Sequence, residues 1–128
     1  MMSDRLGILL VEDDVLVMMS FSDMLRDMGH EVYEAPTAPE ALAWLENNLD
    51  LDVLITDIEM AGMDGRELVR QARGLVPDLR VIYSSGYRAE KIPKLASDPL
   101  ARFLQKPFGP NEVNEAFRSL YAAAAHRR

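Results

Sequence analysis

The sequence has no cysteine, which removes disulfide frameworks, thiolate metal sites and dithiol redox chemistry. Its two histidines, His30 and His126, stand alone and do not restore a metal-binding cluster. No apolar run approaches the roughly 20 residues needed to span a bilayer. We read no signal-peptide pattern either, because Met1 to Leu6 passes straight into the short run Gly7 to Val11 and then into acids. Basic charge is scarce: 14 lysines and arginines against 21 acids leave a net charge of −7, a field that repels nucleic acid. The single basic cluster, His126-Arg127-Arg128, ends the chain and reads as a solvated tail. These absences lead us to expect a cytoplasmic chain with no membrane or nucleic-acid partner.

What is present is regular alternation. With 128 residues there is room for one domain, taken as 1–128 with a core over about 6–121 and a tail over 122–128. Gly7 to Val11 is a short, branched apolar run suited to a strand covered on both faces. Val17, Phe21, Met24, Leu25 and Met28 then recur at helical spacing, and Gly29 is a stop signal. Glu31 to Ala35 is a second strand. Thr37-Ala38-Pro39-Glu40 has the form of a capping box opening a helix with Leu42, Leu45 and Leu49. Asp52 to Thr56 is a third strand, followed by the loop Asp57 to Gly65 and a helix bearing Leu68, Val69 and Ala72. Arg80 to Ser84 is a fourth strand. Pro93 and Pro99 make any helix within Arg88 to Leu100 short, irregular or broken. Ala101 to Gln105 is a fifth strand, and Pro110 opens a last helix with Val113, Phe117, Leu120 and Tyr121 on one face. About five helices alternating with five strands predict an α/β fold: a doubly wound parallel sheet of flavodoxin-like order 2-1-3-4-5.

In such a sheet ligands gather beyond the carboxyl ends of the strands. Those ends carry Glu12 and Asp13, Asp57, Ser84 and Ser85, and Lys106. Three carboxylates at one edge repel unless a cation lies among them, and Mg2+ suits hard oxygen ligands combined with phosphate. A carboxylate is also a nucleophile toward phosphorus, and Asp57 is the candidate. The metal, the Lys106 ammonium and a serine hydroxyl would neutralise the transferred group. Helix capping accounts more simply for Asp14 and Asp64, and turn formation for Gly62 and Gly65. Capping does not explain two acids, a third acid, a hydroxyl and a lysine converging from four strand ends.

From Leu6 to about Leu120 the chain resembles the receiver domain of bacterial two-component response regulators. Val11-Glu12-Asp13 resembles the family's acidic pair, Asp57 its phosphoacceptor, Ser85-Gly86 its hydroxyl residue with a small follower, and Lys106-Pro107-Phe108 its lysine and proline. Phe103 falls at the switch aromatic. The resemblance implies that Asp57 takes a phosphoryl group from the phosphohistidine of a partner histidine kinase or phosphotransfer protein. It implies Mg2+ ligation by Asp13, Asp57 and the Glu59 backbone carbonyl, with Glu12 acting through water. Ser85 and Lys106 would hold the phosphoryl oxygens, Phe103 would turn with Ser85, and Glu59 and Tyr87 would tune phosphoryl lifetime. Glu12 and Ala61 depart from the commoner aspartate and proline of the family. Such a module catalyses only its own phosphorylation and dephosphorylation, so we expect no enzyme in the usual sense.

The alternatives are a scaffold of the same fold that signals without phosphate, and a Mg2+-dependent phosphatase. Glu59 stands where such a phosphatase places its second acid, but the chain has no substrate cap. No effector domain follows Tyr121, so the chain reads as a stand-alone receiver, monomeric or weakly dimeric, or as a piece of a longer one. Its downstream protein target is open.

Overall fold

The apolar runs form the central strands because only there are both faces of a strand covered. The computed structural model describes residues 5–86 and 97–126, with side chains as far as residue 122. Its strands are β1 (Gly7–Val11), β2 (Glu31–Ala35), β3 (Val53–Asp57), β4 (Arg80–Ser85) and β5 (Ala101–Gln105). Its helices are α1 (Val15–Asp27), α2 (Ala38–Glu46), α3 (Gly65–Leu75) and α4 (Pro110–His126). The strands make one parallel sheet in the expected order β2-β1-β3-β4-β5. Every residue of β3 is buried, whereas the edge strand β2 exposes Glu31 and Glu34.

The helices divide between the two faces, and the apolar cores divide with them. On one face Met18, Phe21 and Leu25 of α1 and Val113, Phe117 and Leu120 of α4 pack on Ile8, Leu10, Val53 and Ile55. On the other, Ala41 and Leu45 of α2 and Leu68, Val69 and Ala72 of α3 pack on Leu9, Val11, Leu54 and Val81. Alternate residues of each central strand thus feed opposite cores, which is the period-2 geometry of a strand.

Local chemistry fixes the boundaries. Asp14 caps α1, accepting from the amides of Leu16 and Val17, and Gly29 beyond its end takes φ of 97°. The Thr37 hydroxyl caps α2 by accepting from the Glu40 amide, with Pro39 in the first turn. Asp64 caps α3. At the far end of α3, Arg73 forks onto the Leu79 and Leu100 carbonyls and pairs with Asp98, tying this helix to the start of β5.

The structure corrects several details. The buried face of α1 is Met18, Phe21, Ser22 and Leu25, a rotation from the expected stripe that leaves Val17 only half-buried. Helix α2 stops at Glu46, so Leu49 lies beyond it and is exposed. Strand β3 runs from Val53 to Asp57 and β4 continues to Ser85, one residue later than the apolar pattern alone indicates. Helix α4 passes through Ala122 to Ala125 to reach His126, where a tail was expected, because alanine has the highest helix propensity. Four helices lie among the described residues. The broken helix expected after Gly86, with Pro93, lies outside them except for its end, where Ser97 to Leu100 form a turn. Tyr87, Arg127 and Arg128 also lie outside them. Among the described residues no helix is long and apolar enough to cross a membrane.

Two packing details give predictions. Gly65 meets the end of β3 so closely that an added Cβ would lie 2.3 Å from the Asp57 carbonyl oxygen. Gly65→Ala should therefore destabilise the fold by about 1–3 kcal/mol, read as a lower urea midpoint at unchanged slope. His30 Nδ1 accepts the Leu6 amide at 3.1 Å while its ring meets Phe117 edge-on. Burial lowers its pKa from the ordinary value near 6.5. The unfolded chain therefore binds more protons as pH falls below about 6.5, and this share of stability is lost through the lower folded pKa. Urea midpoints measured downward from about pH 7.5 should fall more for the wild type than for His30→Gln, whose amide does not titrate.

Candidate functional site

The chain order reverses between β1 and β3: α1 carries β1 outward to β2, while α3 carries β3 outward to β4. A crevice opens where connections diverge in this way. Glu12 and Asp13 follow β1 on one side of it, and Asp57 ends β3 on the other. One oxygen from each of the three acids lies within 4.8 Å of the others. Glu12 and Asp57 are buried, with 3% and 5% exposure, whereas Asp13 faces solvent.

Lys106 reaches in from the end of β5, its Nζ 3.2 Å from Glu12 Oε1 and 3.2 Å from Asp57 Oδ2. Its backbone amide donates to the Ser85 carbonyl at 2.8 Å, and the Lys106–Pro107 peptide is cis. The remaining oxygens are committed unequally. Glu12 Oε2 accepts the Asp14 amide at 3.1 Å, and Asp13 Oδ2 accepts the Ala61 amide at 3.0 Å. Asp57 Oδ1 is buried and has no hydrogen-bond partner among the described residues.

Burial pushes the Asp57 carboxyl up in pKa, and Lys106 opposes without cancelling it. Burial likewise raises Glu12 against the Asp14 amide and Lys106, with Asp57 adding to the rise. For Lys106 burial works downward, but Glu12 and Asp57 outweigh it and hold the ammonium above its usual value. Among the described residues one cation thus serves two buried acids, and negative charge is left over. A buried carboxylate oxygen without a partner is costly, and a hard cation beside it would supply what is missing. The residues therefore fit Mg2+: Asp57 and Asp13 offer oxygens at the mouth of the crevice, with Glu12 behind them.

The backbone of Asp57 is held from several directions. It faces Ser84 in the sheet register, and the next amide, Ile58, donates to the Ser84 carbonyl at 3.0 Å. The buried Thr56 hydroxyl donates to the Asp57 carbonyl at 2.9 Å, the same carbonyl on which Gly65 rests. Gly62 has φ of 90° and turns the loop back toward α3, a conformation natural to glycine.

Of the expected site residues, Glu12, Asp13, Asp57 and Lys106 meet in one cluster. Ser85 is fully buried, and its hydroxyl donates to Glu59 Oε2 at 2.5 Å. Phe103 lies apart from this cluster: half-buried, it packs against the core beneath α2 and α3 and lines a groove of about 420 Å³ between β5 and α4. Tyr87 is outside the described residues. Sequence reasoning missed the Glu59 contact, which no spacing rule announces, and it gave Gly65 only a turn role.

The family model for the response regulator receiver domain matches residues 8–118. The chain belongs to this family. Among curated relatives, this receiver domain is 34% identical over 118 residues to the response regulator receiver protein CpdR of Brucella abortus, covering 91% of this chain and 98% of that one. It is 36% identical over 114 residues to the sensor kinase CckA of the same organism, covering 88% of this chain but only 12% of the kinase. Among solved structures, TrrA of Thermotoga maritima, a response regulator in complex with Mg2+ and BeF, matches with a TM-score of 0.77 at 27% identity. That match covers 91% of the receiver domain and 99% of TrrA. The expected family and fold are thus both found.

The raised Asp57 pKa makes a stability prediction for this receiver domain. A carboxyl whose folded pKa is raised contributes stability below the unfolded pKa and loses it as pH rises through the folded one. Ionised Asp57 therefore costs stability at neutral pH. Without divalent cations, Asp57→Asn should raise unfolding stability by about 1–2 kcal/mol, measured by urea denaturation near pH 7.

Proposed function

We propose that Asp57 accepts a phosphoryl group from the phosphohistidine of a partner histidine kinase or phosphotransfer protein, in a Mg2+-dependent reaction. The observation that carries this reading is the unpartnered, buried Asp57 Oδ1 beside the other two acids, with Lys106 3.2 Å from Oδ2. An Asp57 oxygen attacks phosphorus, the phosphorus–imidazole bond breaks, and the donor nitrogen keeps its electron pair. Bound Mg2+ would supply charge neutralisation for the transferred oxygens. Asp13, Asp57 and the Glu59 carbonyl would hold it, with Glu12 acting through water. Lys106 neutralises a phosphoryl oxygen and Ser85 donates to another, while Phe103 responds to the movement of Ser85. Glu59 and Tyr87 set how readily water reaches the product. The complex of TrrA with Mg2+ and BeF supports this reading, as do the matches to a receiver protein and to a sensor kinase.

The chain turns over no separate substrate in this reading; it catalyses its own phosphorylation and dephosphorylation. In this reading the chain works in the cytoplasm beside its kinase or phosphotransfer partner, and the output is a change in its protein-binding face. A small phosphodonor such as acetyl phosphate, supplied with Mg2+, should add one phosphoryl group per chain, seen as a single mass increment. Labelling should vanish without Mg2+ and in Asp57→Asn; an Asp57→Asn protein that labels as well as the wild type would rule the reading out.

A further inference from the structure

The hydroxyl of Ser85 is already engaged. Ser85 is fully buried, and its Oγ donates to Glu59 Oε2 at 2.5 Å, a charge-assisted bond of the stronger kind. Its backbone carbonyl meanwhile holds the Lys106 amide at 2.8 Å, so the residue is fixed on the strand that presents it. A serine hydroxyl has one proton to donate. While that proton points at Glu59, it is not aimed at an anion on Asp57.

From this we propose that Glu59 is a latch, a positioning residue that holds the Ser85 hydroxyl away from an anion on Asp57 and must release it when that anion arrives. The inference rests on the Asp57 reading above. Three features of the site support it. Glu59 follows Asp57 by two residues, so a phosphoryl group there adds negative charge close to the Glu59 carboxylate. The event that needs the hydroxyl thus weakens the hydroxyl's present partner. Glu59 is exposed, so its carboxylate returns to water on release instead of being stranded in the interior. Ser85, by contrast, is buried, and the anion offers its hydroxyl an acceptor in place of Glu59. The latch therefore favours two discrete arrangements of one hydroxyl.

The test is a double-mutant cycle read by beryllofluoride binding in the presence of Mg2+, followed through backbone amide shifts. Glu59→Ala should bind beryllofluoride about tenfold more tightly than the wild type, because the competing bond is gone. In a Ser85→Ala background the same change should leave only the through-space charge effect, about twofold to threefold. Equal fold-changes in the two backgrounds would overturn the latch while leaving the Asp57 reading intact. Absence of any beryllofluoride binding by the wild type would instead overturn the Asp57 reading, and the latch with it. A second readout needs no anion: the Ser85 hydroxyl proton should give a slowly exchanging, downfield resonance in the wild type that is lost in Glu59→Ala. A hydroxyl that exchanges equally fast in both proteins would also sink the proposal.

Discussion

A single ammonium lies between two buried carboxylates, and the arrangement of the carboxyl edge of the sheet follows from it. Lys106 is 3.2 Å from both Glu12 and Asp57, and its charge opposes the burial that raises the pKa of each. Yet one positive charge does not satisfy two buried negative ones, and a third acid stands at the rim. The fold carries this deficit because both cores are continuous. Ile8, Leu10, Val53 and Ile55 on one side and Leu9, Val11 and Leu54 on the other are almost wholly buried. The apolar strands stabilise a sheet whose end is electrostatically unfavourable.

The same deficit explains why the site is suited to a divalent ion and a phosphoryl group. A helix-capping acid is satisfied locally, as Asp14 and Asp64 are by the amides of their own helices. Asp57 instead ends a fully buried strand, and the Ile58 amide beside it serves the sheet. Its free oxygen is a consequence of topology. The crevice at the chain reversal brings Glu12, Asp13 and Asp57 together whatever their chemistry, and the sequence places acids there.

Much of this was legible in the residues because the strongest signals are also the simplest. The strands β2 and β5 and the helix caps Asp14, Thr37 and Asp64 stand where pattern and turn chemistry put them. The acids and the lysine were legible from their places after apolar runs. The face of α1 was not, because Val15, Leu16, Val17, Met18 and Met19 are all apolar and a moment drawn through them has no sharp direction. Val15, Leu16 and Met19 are exposed in the fold, and Ser22 takes a buried place that its polarity disguises. The Ser85–Glu59 contact was invisible for another reason. It joins residues 26 positions apart through a loop, and loop side chains follow no period.

Gly65 also has a mechanical consequence. Because the first turn of α3 rests directly on the carbonyl of Asp57, the strand end and the helix start behave as one rigid body. The Thr56 hydroxyl and the Ile58 amide brace the same junction from the sheet. A change of charge on the Asp57 carboxylate therefore cannot be absorbed by letting the backbone recoil. It has to be taken up by side chains and by the loop between residues 58 and 64. Position 65 is accordingly a fixed point about which the neighbouring sequence is free to drift, since any larger residue there would move the acid itself.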